Sequence, residues 1–581
     1  MKIVLAAINA KFIHSSLAIR SIREYCQGMQ EHIELEEYTI NQKEDFILWD
    51  IYRKKPDMVC FSCYLWNISM INSIIDNLKK IMPHVPIVLG GPEVSYEAEE
   101  YLEKHLSADL ILRGEGEATF REMVELFLSG VFPPEAIDGV TYREGENIIS
   151  NPARAPLSLD EIPFVYHQLD DLKNRILYYE TQRGCPYQCQ YCLSSIEKGV
   201  RFLSPQRVEQ DLQFFLDQKV RQVKFVDRTF NANPAHAKHI WRYLMEHDNG
   251  FTNFHMEITA DIMDEESILL LKDARPGLFQ FEIGVQSTNE KTIEAIQRNT
   301  YFEKLKIVVK KIQEAGNIHQ HLDLIAGLPY EDYASFRNSF NDVYELRPEQ
   351  FQLGFLKMLK GSGLRRDAEK YGIVYREEAV YEILFTKDLP YEDVLRLKLV
   401  EEMVETYYNS GKAWHTLQYV VPFFTSAFDF YEALGEYWEK KEYHKVQHNK
   451  MQLFQILDEF FGERKELEGK QKVWRGFLKW DMLLAENLRS MPAWLEEPPA
   501  VKGRKWDFFH DKEKTSKLEE PLANLSVKDL SARCGVGYFE FRIFDMLKNP
   551  KADAVWEETM VLFDYGDRNP LTNHATWYVV S

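Results

Sequence analysis

Short runs of apolar and β-branched residues recur along the first 130 residues and alternate with stretches of mixed polarity. Five of these runs predict strands: KIVLAAI, IELEEYTI, DMVCFSC, PIVLGG and DLILRG. The stretches between them carry apolar residues on one helical stripe, as in ISMINSIIDNLKKIM, and predict helices. Five βα units of this size predict a doubly wound, Rossmann-like parallel sheet, and such sheets bind ligands at the carboxyl ends of their strands.

A second alternating series occupies residues 176–359. Its predicted strands are ILYYETQRG, VKFVDRTF, FHMEITAD, LFQFEIGVQS, IHQHLDLIAG and QFQLGFLKML. Six βα units are too few to close an eight-stranded barrel, so we expect a partial, open (β/α)6 barrel.

The remaining sequence has a different character. TYREGENIIS predicts a hairpin, and the Pro-rich segment NPARAPLSLDEIPF that follows is typical of a linker. Beyond the second series, long aromatic-rich helices and a few late strands predict a mostly helical α+β domain. The predicted organisation is an α/β domain, a hairpin with linker, a partial barrel and a C-terminal domain, at residues 1–138, 139–172, 173–384 and 385–581.

Composition limits the possible partners. The chain of 581 residues has a formal charge of −21, which disfavours attraction to a phosphate backbone and argues against a nucleic-acid partner. No apolar run reaches the roughly 18–20 residues that a membrane span requires. Three of the seven cysteines lie within eight positions and the others are scattered, so they do not form a disulfide framework. We therefore expect a cytoplasmic protein with a metal site.

The clustered cysteines are Cys185, Cys189 and Cys192, in TQRGCPYQCQYCLSS just after the first strand of the second series. Thiolates are the usual ligands of iron–sulfur clusters. Three ligands for a four-iron four-sulfur cluster leave one iron open for chemistry. The alternatives are a zinc site, which usually takes four ligands where this loop offers three, and cysteines that bind no metal.

This loop and the strands after it resemble the radical S-adenosylmethionine superfamily over roughly residues 175–360, and several segments are similar to those of oxygen-independent coproporphyrinogen oxidase. The resemblance implies that S-adenosylmethionine chelates the open iron. It also implies contacts to its amino group by Glu257, to its ribose by Gln286 and Asp323, to its carboxylate by Arg298, and near its adenine by Tyr191. The second strand departs from the family pattern in VDRTFN, so the roles of Asp227 and Asn231 are left open.

An α/β domain ahead of such a barrel resembles the cobalamin-binding class of these enzymes, over about residues 1–360. The similar segments are SCYLWN, LGGPEVS and RGEGE, each after a predicted strand. The resemblance implies cobalamin contacts by Ser62, Tyr64, Gly90, Gly91, Glu93, Gly114 and Gly116. The alternative is that the glycines only close turns. The loop around His14 lacks the D-x-H-x-x-G pattern, so we expect no cobalt ligand from the protein and a His14 that lines the cleft.

These resemblances predict an enzyme that uses a 4Fe–4S cluster, S-adenosylmethionine and cobalamin to methylate an unactivated carbon of a small-molecule or peptide substrate. They also predict a reducing partner of flavodoxin or ferredoxin type. The alternatives are a cobalamin-dependent rearrangement or cyclisation, methylthiolation, and a non-catalytic corrinoid or redox carrier. Methylthiolation would need a second cluster, but the remaining N-terminal cysteines, Cys26, Cys60 and Cys63, lie on a helix and one strand, and the last two point to opposite faces.

Overall fold

The structure is a computed structural model that describes every residue except 131, 197, 198, 489, 496, 498, 570, 571 and 581. Packing divides the chain into two compact units. The first unit contains Met1–Gln320, Ile325–Asp332 and Phe355–Tyr391. The second contains His321–Leu324, Tyr333–Gly354 and Glu392–Ser581.

The N-terminal part of the first unit is built on a seven-stranded sheet. Its strands are β1 Ile3–Asn9, β2 Ile33–Thr39, β3 Met58–Ser62, β4 Ile87–Gly90, β5 Leu110–Leu112, β6 Val140–Glu144 and β7 Asn147–Ser150. Its helices are α1 Leu17–Tyr25, α2 Glu44–Lys54, α3 Ile68–Ile81, α4 Pro92–Ser95, α5 Ala98–Lys104 and α6 Gly116–Leu128. The first five strands pair in parallel in the order β2-β1-β3-β4-β5, which confirms the predicted doubly wound sheet.

Strands β6 and β7 form the predicted hairpin. Strand β6 also pairs antiparallel with β5, so the hairpin continues the first sheet rather than standing apart in the linker. This pairing satisfies backbone groups that β5 would otherwise expose as an edge strand.

The second sheet follows the linker. Its part of the chain contains strands β8 Leu177–Tyr179, β9 Gln182–Cys185, β10 Gly199–Phe202, β11 Gln222–Phe225, β12 Asn253–Ile258, β13 Phe279–Gln286, β14 His319–Ala326 and β15 Gln350–Phe355. The helices are α7 Pro205–Asp217, α8 Pro234–Glu246, α9 Glu265–Leu271, α10 Glu290–Ala295, α11 Phe302–Ala315 and α12 Tyr333–Tyr344. The sheet order is β15-β14-β13-β12-β11-β8, and β8, β11, β12 and β13 pair in parallel. This linear order of six strands confirms the predicted partial barrel.

The chain then forms a segment, residues 355–391, that completes the first unit. It contains helix α13 Gly363–Arg366 and the short strands β16 Val374–Tyr375 and β17 Ile383–Phe385. The two strands pair antiparallel with each other.

The second unit is mostly helical. Its elements are α14 Tyr391–Met403, a π-helical turn Val404–Asn409, α15 Trp414–Val420, α16 Ala427–Lys440, α17 Lys450–Gly462, α18 Gln471–Ala485, α19 Pro499–His510, α20 Lys512–Thr515, α21 Val527–Arg533, β18 Cys534–Phe539, α22 Ile543–Lys548, β19 Thr559–Arg568 and β20 Ala575–Val579. The three strands form one antiparallel sheet. Strands β19 and β20 lie where the late strand patterns predicted them, whereas β18 begins before the predicted strand YFEFRIFDM and helix α22 occupies the end of that segment. Asp481 on α18 accepts hydrogen bonds from His415 and Thr416 and so fixes the start of α15.

Among the described residues, no helix combines the length and the apolar character that a membrane span requires.

Gly91 joins β4 to α4 in a conformation that only glycine adopts without strain. Its φ is 107°, and a Cβ placed there would lie 2.5 Å from the carbonyl oxygen of Cys63. We predict that Gly91→Ala destabilises the protein by about 2–4 kcal/mol, since it adds a backbone clash to the cost of a left-handed alanine.

Gly130 is the matched control, because its φ is 81° and an added Cβ would meet open space. Gly130→Ala should cost only about 1 kcal/mol. The midpoints of urea unfolding, followed by circular dichroism, compare the two variants. Equal losses of unfolding free energy in the two variants would show that the close approach of Gly91 to Cys63 does not affect stability.

Candidate functional site

The three clustered cysteines lie on the connection of a two-stranded hairpin. Strands β9 and β10 pair antiparallel, with Cys185 opposite Gly199. Cys189 is buried and its carbonyl accepts a 3.0 Å hydrogen bond from the Cys192 amide, which forms a turn between these two cysteines. Burial raises the pKa of the Cys189 thiol, the Arg298 guanidinium opposes this, and charge on Cys192 and Cys185 raises the pKa further. The charges of Cys185 and Cys192 thus act on Cys189, and thiolates that share one loop are the usual ligands of an iron–sulfur cluster.

Arg298 connects this loop to the end of β13. It donates a 2.8 Å hydrogen bond from Nη1 to the Tyr191 hydroxyl and a 2.5 Å hydrogen bond from Nη2 to the Gly284 carbonyl. A Cβ on Gly284 would meet Gln286 Nε2 at 2.2 Å, so the Gln286 amide lies directly against this glycine. The structure thus brings together Tyr191, Arg298 and Gln286, three of the residues predicted to bind S-adenosylmethionine.

Two polar atoms in this group are buried and lack a hydrogen-bond partner among the described residues: Gln286 Oε1 and Arg298 Nε. A buried polar atom without a partner costs about 1–3 kcal/mol unless a ligand satisfies it. Gln286 also has a φ of 70°, which is uncommon for a residue other than glycine and typical of functional sites. An acceptor and a donor beside the cysteine loop fit a ligand that carries hydroxyl and carboxylate groups, as S-adenosylmethionine does.

The other two residues predicted to bind S-adenosylmethionine, Glu257 and Asp323, lie on strands β12 and β14 of the second sheet. Glu257 is half-buried on β12, and its carboxylate is 3.9 Å from the Arg228 guanidinium. Asp323 lies on β14 and pairs with His321 at 3.0 Å.

Asp227 and Asn231, whose roles the sequence left open, support the backbone around the cysteine loop. The Asp227 carboxylate is fully buried and accepts hydrogen bonds from both the amide and hydroxyl of Thr181 and from the amide of Gln182. The Asn231 side chain exchanges two hydrogen bonds with the backbone of Thr259, at 2.8 and 2.9 Å. Both residues therefore hold strand ends in place instead of facing a ligand.

A cavity of about 800 Å³ lies at the carboxyl ends of both sheets in the first unit. From the first sheet it is lined by Ser62, Tyr64, Gly90, Gly91, Gly114 and Gly116, and from the second by Glu257 and Arg228. Gly184, Leu193 and Ser194, the neighbours of Cys185 and Cys192, line it as well. The cavity thus extends from the predicted cobalamin loops to the cysteine loop, and its size is within the usual range of cofactor sites, roughly 300–1,000 Å³.

The glycines that line the cavity differ in what an added Cβ would meet. Gly91 is required by the Cys63 carbonyl, whereas a Cβ on Gly114, at a φ of 73°, would meet no atom within 4 Å. A Cβ on Gly116 would approach Ile22 at 3.0 Å. Only Gly114 therefore leaves open space that a cofactor could use, and Gly91 serves the protein's own packing.

Glu93 is not among the residues that line this cavity. Its side chain is 5% exposed, pairs with the Lys360 ammonium at 3.1 Å and accepts a hydrogen bond from the Tyr381 hydroxyl. Gly91 and Pro92 of the same loop line the cavity, but the Glu93 side chain is engaged by residues of the 355–391 segment.

His14 lines the cavity, as expected from its loop. Its Nδ1 lies 2.7 Å from the Tyr178 hydroxyl, and burial lowers its pKa. Cys60 and Cys26 pack on one face of the first sheet and Cys63 on the other, which confirms that these three cysteines do not converge on a second cluster.

Three residues of the cavity wall were missed by the sequence analysis: Trp66, Lys224 and Arg228. Trp66 stacks in parallel on Tyr64 with ring centroids 4.5 Å apart, and its indole nitrogen donates to the Ile8 carbonyl. Lys224 and Arg228 come from the VKFVDRTF run. The period of two in a strand could have shown that Lys224 points to the same side as the neighbouring polar residues.

Three known families match successive parts of the chain. Residues 3–124 match the B12 binding domain, residues 179–343 match the radical SAM superfamily, and residues 369–563 match a family of proteins of unknown function, DUF4080. The first match contains the five parallel strands of the first sheet, and the second contains most of the second sheet.

Characterised relatives share the first two parts. The cobalamin-dependent radical SAM methyltransferase TokK of Streptomyces tokunonensis is 28% identical over 325 residues, which cover 52% of this chain and 47% of TokK. The 2-(S-pantetheinyl)-carbapenam-3-carboxylate methyltransferase of Streptantibioticus cattleyicolor is 26% identical over 50% of this chain and 45% of its own length. The chain thus spans about half the length of the curated relatives it matches.

A solved structure extends the likeness in fold. The cobalamin-dependent S-adenosylmethionine radical enzyme OxsB, determined with aqua-cobalamin and S-adenosylmethionine bound, aligns with a TM-score of 0.58. The alignment covers 94% of this chain and 84% of OxsB at 14% identity, so it shows a shared fold.

The cysteine loop predicts a clear effect on metal content. The Cys185/Cys189/Cys192→Ala variant should lose at least about nine-tenths of the iron that the wild-type protein holds after anaerobic reconstitution, because thiolates are the cluster ligands. Cys534→Ala, which removes one buried cysteine of the second unit, should keep its iron. Equal iron in both variants would contradict a cluster at this loop.

Asp227 predicts a pH-dependent stability. Burial raises its pKa to about 7, and its hydrogen bonds to Thr181 and Gln182 only partly offset this. Because the folded protein holds this proton and the unfolded chain releases it near pH 4, stability from Asp227 is present at low pH and is lost as pH rises to about 7.

Asp227→Asn resembles the protonated carboxyl and should remove this loss. Between pH 5 and pH 8 the wild-type protein should lose about 2–3 kcal/mol of unfolding free energy relative to the variant. Urea unfolding of the apoproteins at both pH values measures it. Parallel pH profiles would mean that Asp227 is ionised throughout.

Proposed function

The chain is a cobalamin-binding radical S-adenosylmethionine protein with a DUF4080 region at its C-terminal end, and from this premise we propose that it is an enzyme that methylates an unactivated carbon. Its cofactors are a 4Fe–4S cluster, S-adenosylmethionine and cobalamin. We propose a small-molecule or peptide substrate and a reducing partner of flavodoxin or ferredoxin type.

One observation carries this proposal: a single cavity is lined by loops of both sheets. Ser62, Tyr64 and Gly114 line it from the first sheet, and the neighbours of Cys185 and Cys192 line it from the cysteine loop. A reaction that uses two cofactors on one substrate needs both reactive centres in one enclosed space, and a displacement of about 1 Å can cost a hundredfold in rate.

The cofactors supply the difficult chemistry when bound, namely a carbon-centred radical and a transferable methyl group. The protein's own residues bind and orient them. We assign the cluster to Cys185, Cys189 and Cys192. We assign S-adenosylmethionine to Gln286 and Arg298, whose buried atoms need partners, and to Glu257, Asp323 and Tyr191.

Cobalamin is assigned to the loops after β3, β4 and β5. Ser62 and Tyr64 supply hydroxyl groups at the cavity wall, and Gly114 leaves space for close approach of a flat ring. The stacked rings of Tyr64 and Trp66 give the wall a rigid apolar surface. His14, whose loop lacks the D-x-H-x-x-G pattern, lines the same cavity with its Nδ1 paired to the Tyr178 hydroxyl, and we assign it no metal-binding role.

The state of the cysteines supports a reducing, cytoplasmic setting for this enzyme. All seven cysteines are free thiols, and an iron–sulfur cluster with an open iron needs protection from oxygen. A pure corrinoid or redox carrier would have no use for a buried acceptor such as Gln286 Oε1 beside the cysteine loop.

The experiment that tests the proposal is anaerobic. The protein is purified from cells supplied with cobalamin, reconstituted with iron and sulfide, and mixed with S-adenosylmethionine and dithionite. Iron, corrinoid and 5′-deoxyadenosine are then quantified. Bound corrinoid together with 5′-deoxyadenosine is expected. 5′-Deoxyadenosine without corrinoid would contradict a cobalamin enzyme, and the absence of both products would contradict the whole proposal.

Gln286→Ala provides a sharper prediction. It should keep iron and corrinoid at wild-type levels but lower the rate of 5′-deoxyadenosine formation about tenfold at limiting S-adenosylmethionine, since one buried hydrogen bond to the ligand is lost.

Gln280→Ala is the matched control, because Gln280 is half-buried on the same strand six positions earlier. Its rate should stay within about twofold of wild type. Equal rates in the two variants would remove Gln286 from the binding site.

A further inference from the structure

Two networks of ion pairs connect the predicted cobalamin loops to the segments that hold the cysteine loop. The first network consists of Glu115 and Glu117 with Arg183 and Arg201. The second consists of Glu93 and Glu97 with Lys360, Arg365 and Tyr381. All of these residues belong to the first unit.

The first network joins the loop after β5 to the cysteine hairpin. Arg183 on β9 lies two positions before Cys185 and pairs with Glu117 at 2.8 Å. Arg201 on β10 pairs with Glu115. Arg183 and Arg201 face each other across the hairpin, where two like charges would repel unless carboxylates lie between them. The glutamates of the first sheet therefore make this hairpin possible.

The second network joins the loop after β4 to the 355–391 segment. Lys360 contacts the Glu93 carboxylate at 3.1 Å, and Arg365 contacts Glu97 at 3.2 Å. The side chains of Glu93 and Lys360 are 5% and 14% exposed, so this pair is largely removed from water. Lys360 also lies 5.6 Å from the ring centres of both Tyr101 and Tyr381.

The same segment reaches the cysteine loop itself. The Leu364 amide donates a 2.8 Å hydrogen bond to the carbonyl of Gln190, which stands between Cys189 and Cys192. A Cβ on Gly363 would overlap Gln190 Oε1 at 1.9 Å, so the Gln190 side chain lies directly against this glycine. The path from Glu93 to the cysteine loop is therefore short: Lys360, the turn at 361–363, and Gln190.

Stability alone does not explain such pairs. A buried ion pair is on balance about as stabilising as well-packed apolar residues, but it holds its two partners in one geometry and is costly to break from one side. Glu115 lines the cavity, and Glu93 directly follows Gly91 and Pro92, which line it. The two pairs are therefore suited to holding these loops at a defined distance from the cysteine loop.

We propose that Glu93 with Lys360, and Glu115 with Arg201, are positioning residues that set the distance between the corrinoid and the cluster. The proposal rests on the proposed function. These residues do not act on the substrate. They act through the loops after β4 and β5 and through the cysteine loop.

The test measures the distance between the two cofactors directly. The reconstituted protein is loaded with hydroxocobalamin, and both centres are brought to their paramagnetic states, cob(II)alamin and the dithionite-reduced cluster. Their dipolar spin coupling is recorded by pulsed electron paramagnetic resonance. The variant is Glu93→Gln/Lys360→Met, which replaces both charges by groups of similar size and so avoids an unpaired buried charge.

We expect the variant to keep its iron and corrinoid while the distribution of cobalt–cluster distances broadens or shifts by about 1 Å, the displacement that matters for reactions held by proximity. The single variant Lys360→Arg, which keeps the charge, should keep the wild-type distribution of cobalt–cluster distances. Arg201→Met should broaden it in the same way. Uncoupled 5′-deoxyadenosine formation, which needs only the cluster side, should stay within about twofold in all variants.

The control is Asp248→Asn. It removes the charge of Asp248 from its pair with Arg275 at 2.7 Å, which lies within the second sheet's part of the unit and is as exposed as the pair of Arg201 with Glu115. Its distance distribution should equal that of wild type. An unchanged distribution in the double variant, or an equal change in the control, would overturn the positioning role. A wild-type protein that binds no corrinoid would instead overturn the proposed function, and that result is visible without any variant.

Discussion

The loops at the carboxyl ends of two parallel sheets line one cavity, and the site depends on this arrangement. Parallel strands leave their last carbonyls and the loops that follow at one side of a sheet, so residues distant in sequence meet there. Ser62 and Gly114 come from the first sheet, and Glu257 from the second. Cofactors of different chemistry can then lie against different walls of one space.

The loops around this cavity carry several buried charged side chains. Arg183, Glu117 and Glu93 are each largely removed from solvent, and each is paired. Apolar side chains at these positions would stabilise the fold at least as well, but they would restrict the relative movement of the loops less. The charged groups therefore indicate a need for defined geometry, because directional contacts restrict movement more than apolar packing does.

Much of the fold follows from local patterns. Strands such as β1 and β3 are buried along their whole length and have nearly continuous apolar runs. Strands β13 and β14 alternate buried and half-buried residues instead. Both patterns are local, so all five parallel strands of the first sheet and all six of the second were predicted. The cysteine triad was likewise visible, since three thiols within eight positions are an unusual local pattern. By contrast, the hairpin of β9 and β10 was missed, because QRGC and GVRF are short and half-exposed.

The sequence by itself determined most element types, the cysteine loop and the edge of each sheet at which the cavity lies, because these depend on patterns within short stretches of the chain. Only the tertiary structure decided which way each loop side chain points and what it meets. Glu93 belongs to a loop of the cavity but pairs with Lys360, which is 267 positions away. Arg298 meets Tyr191, and Gln286 lies beside Arg298 at Gly284, only when β13 lies beside the cysteine loop. Such partners are set by packing over the whole unit, and no local pattern records them.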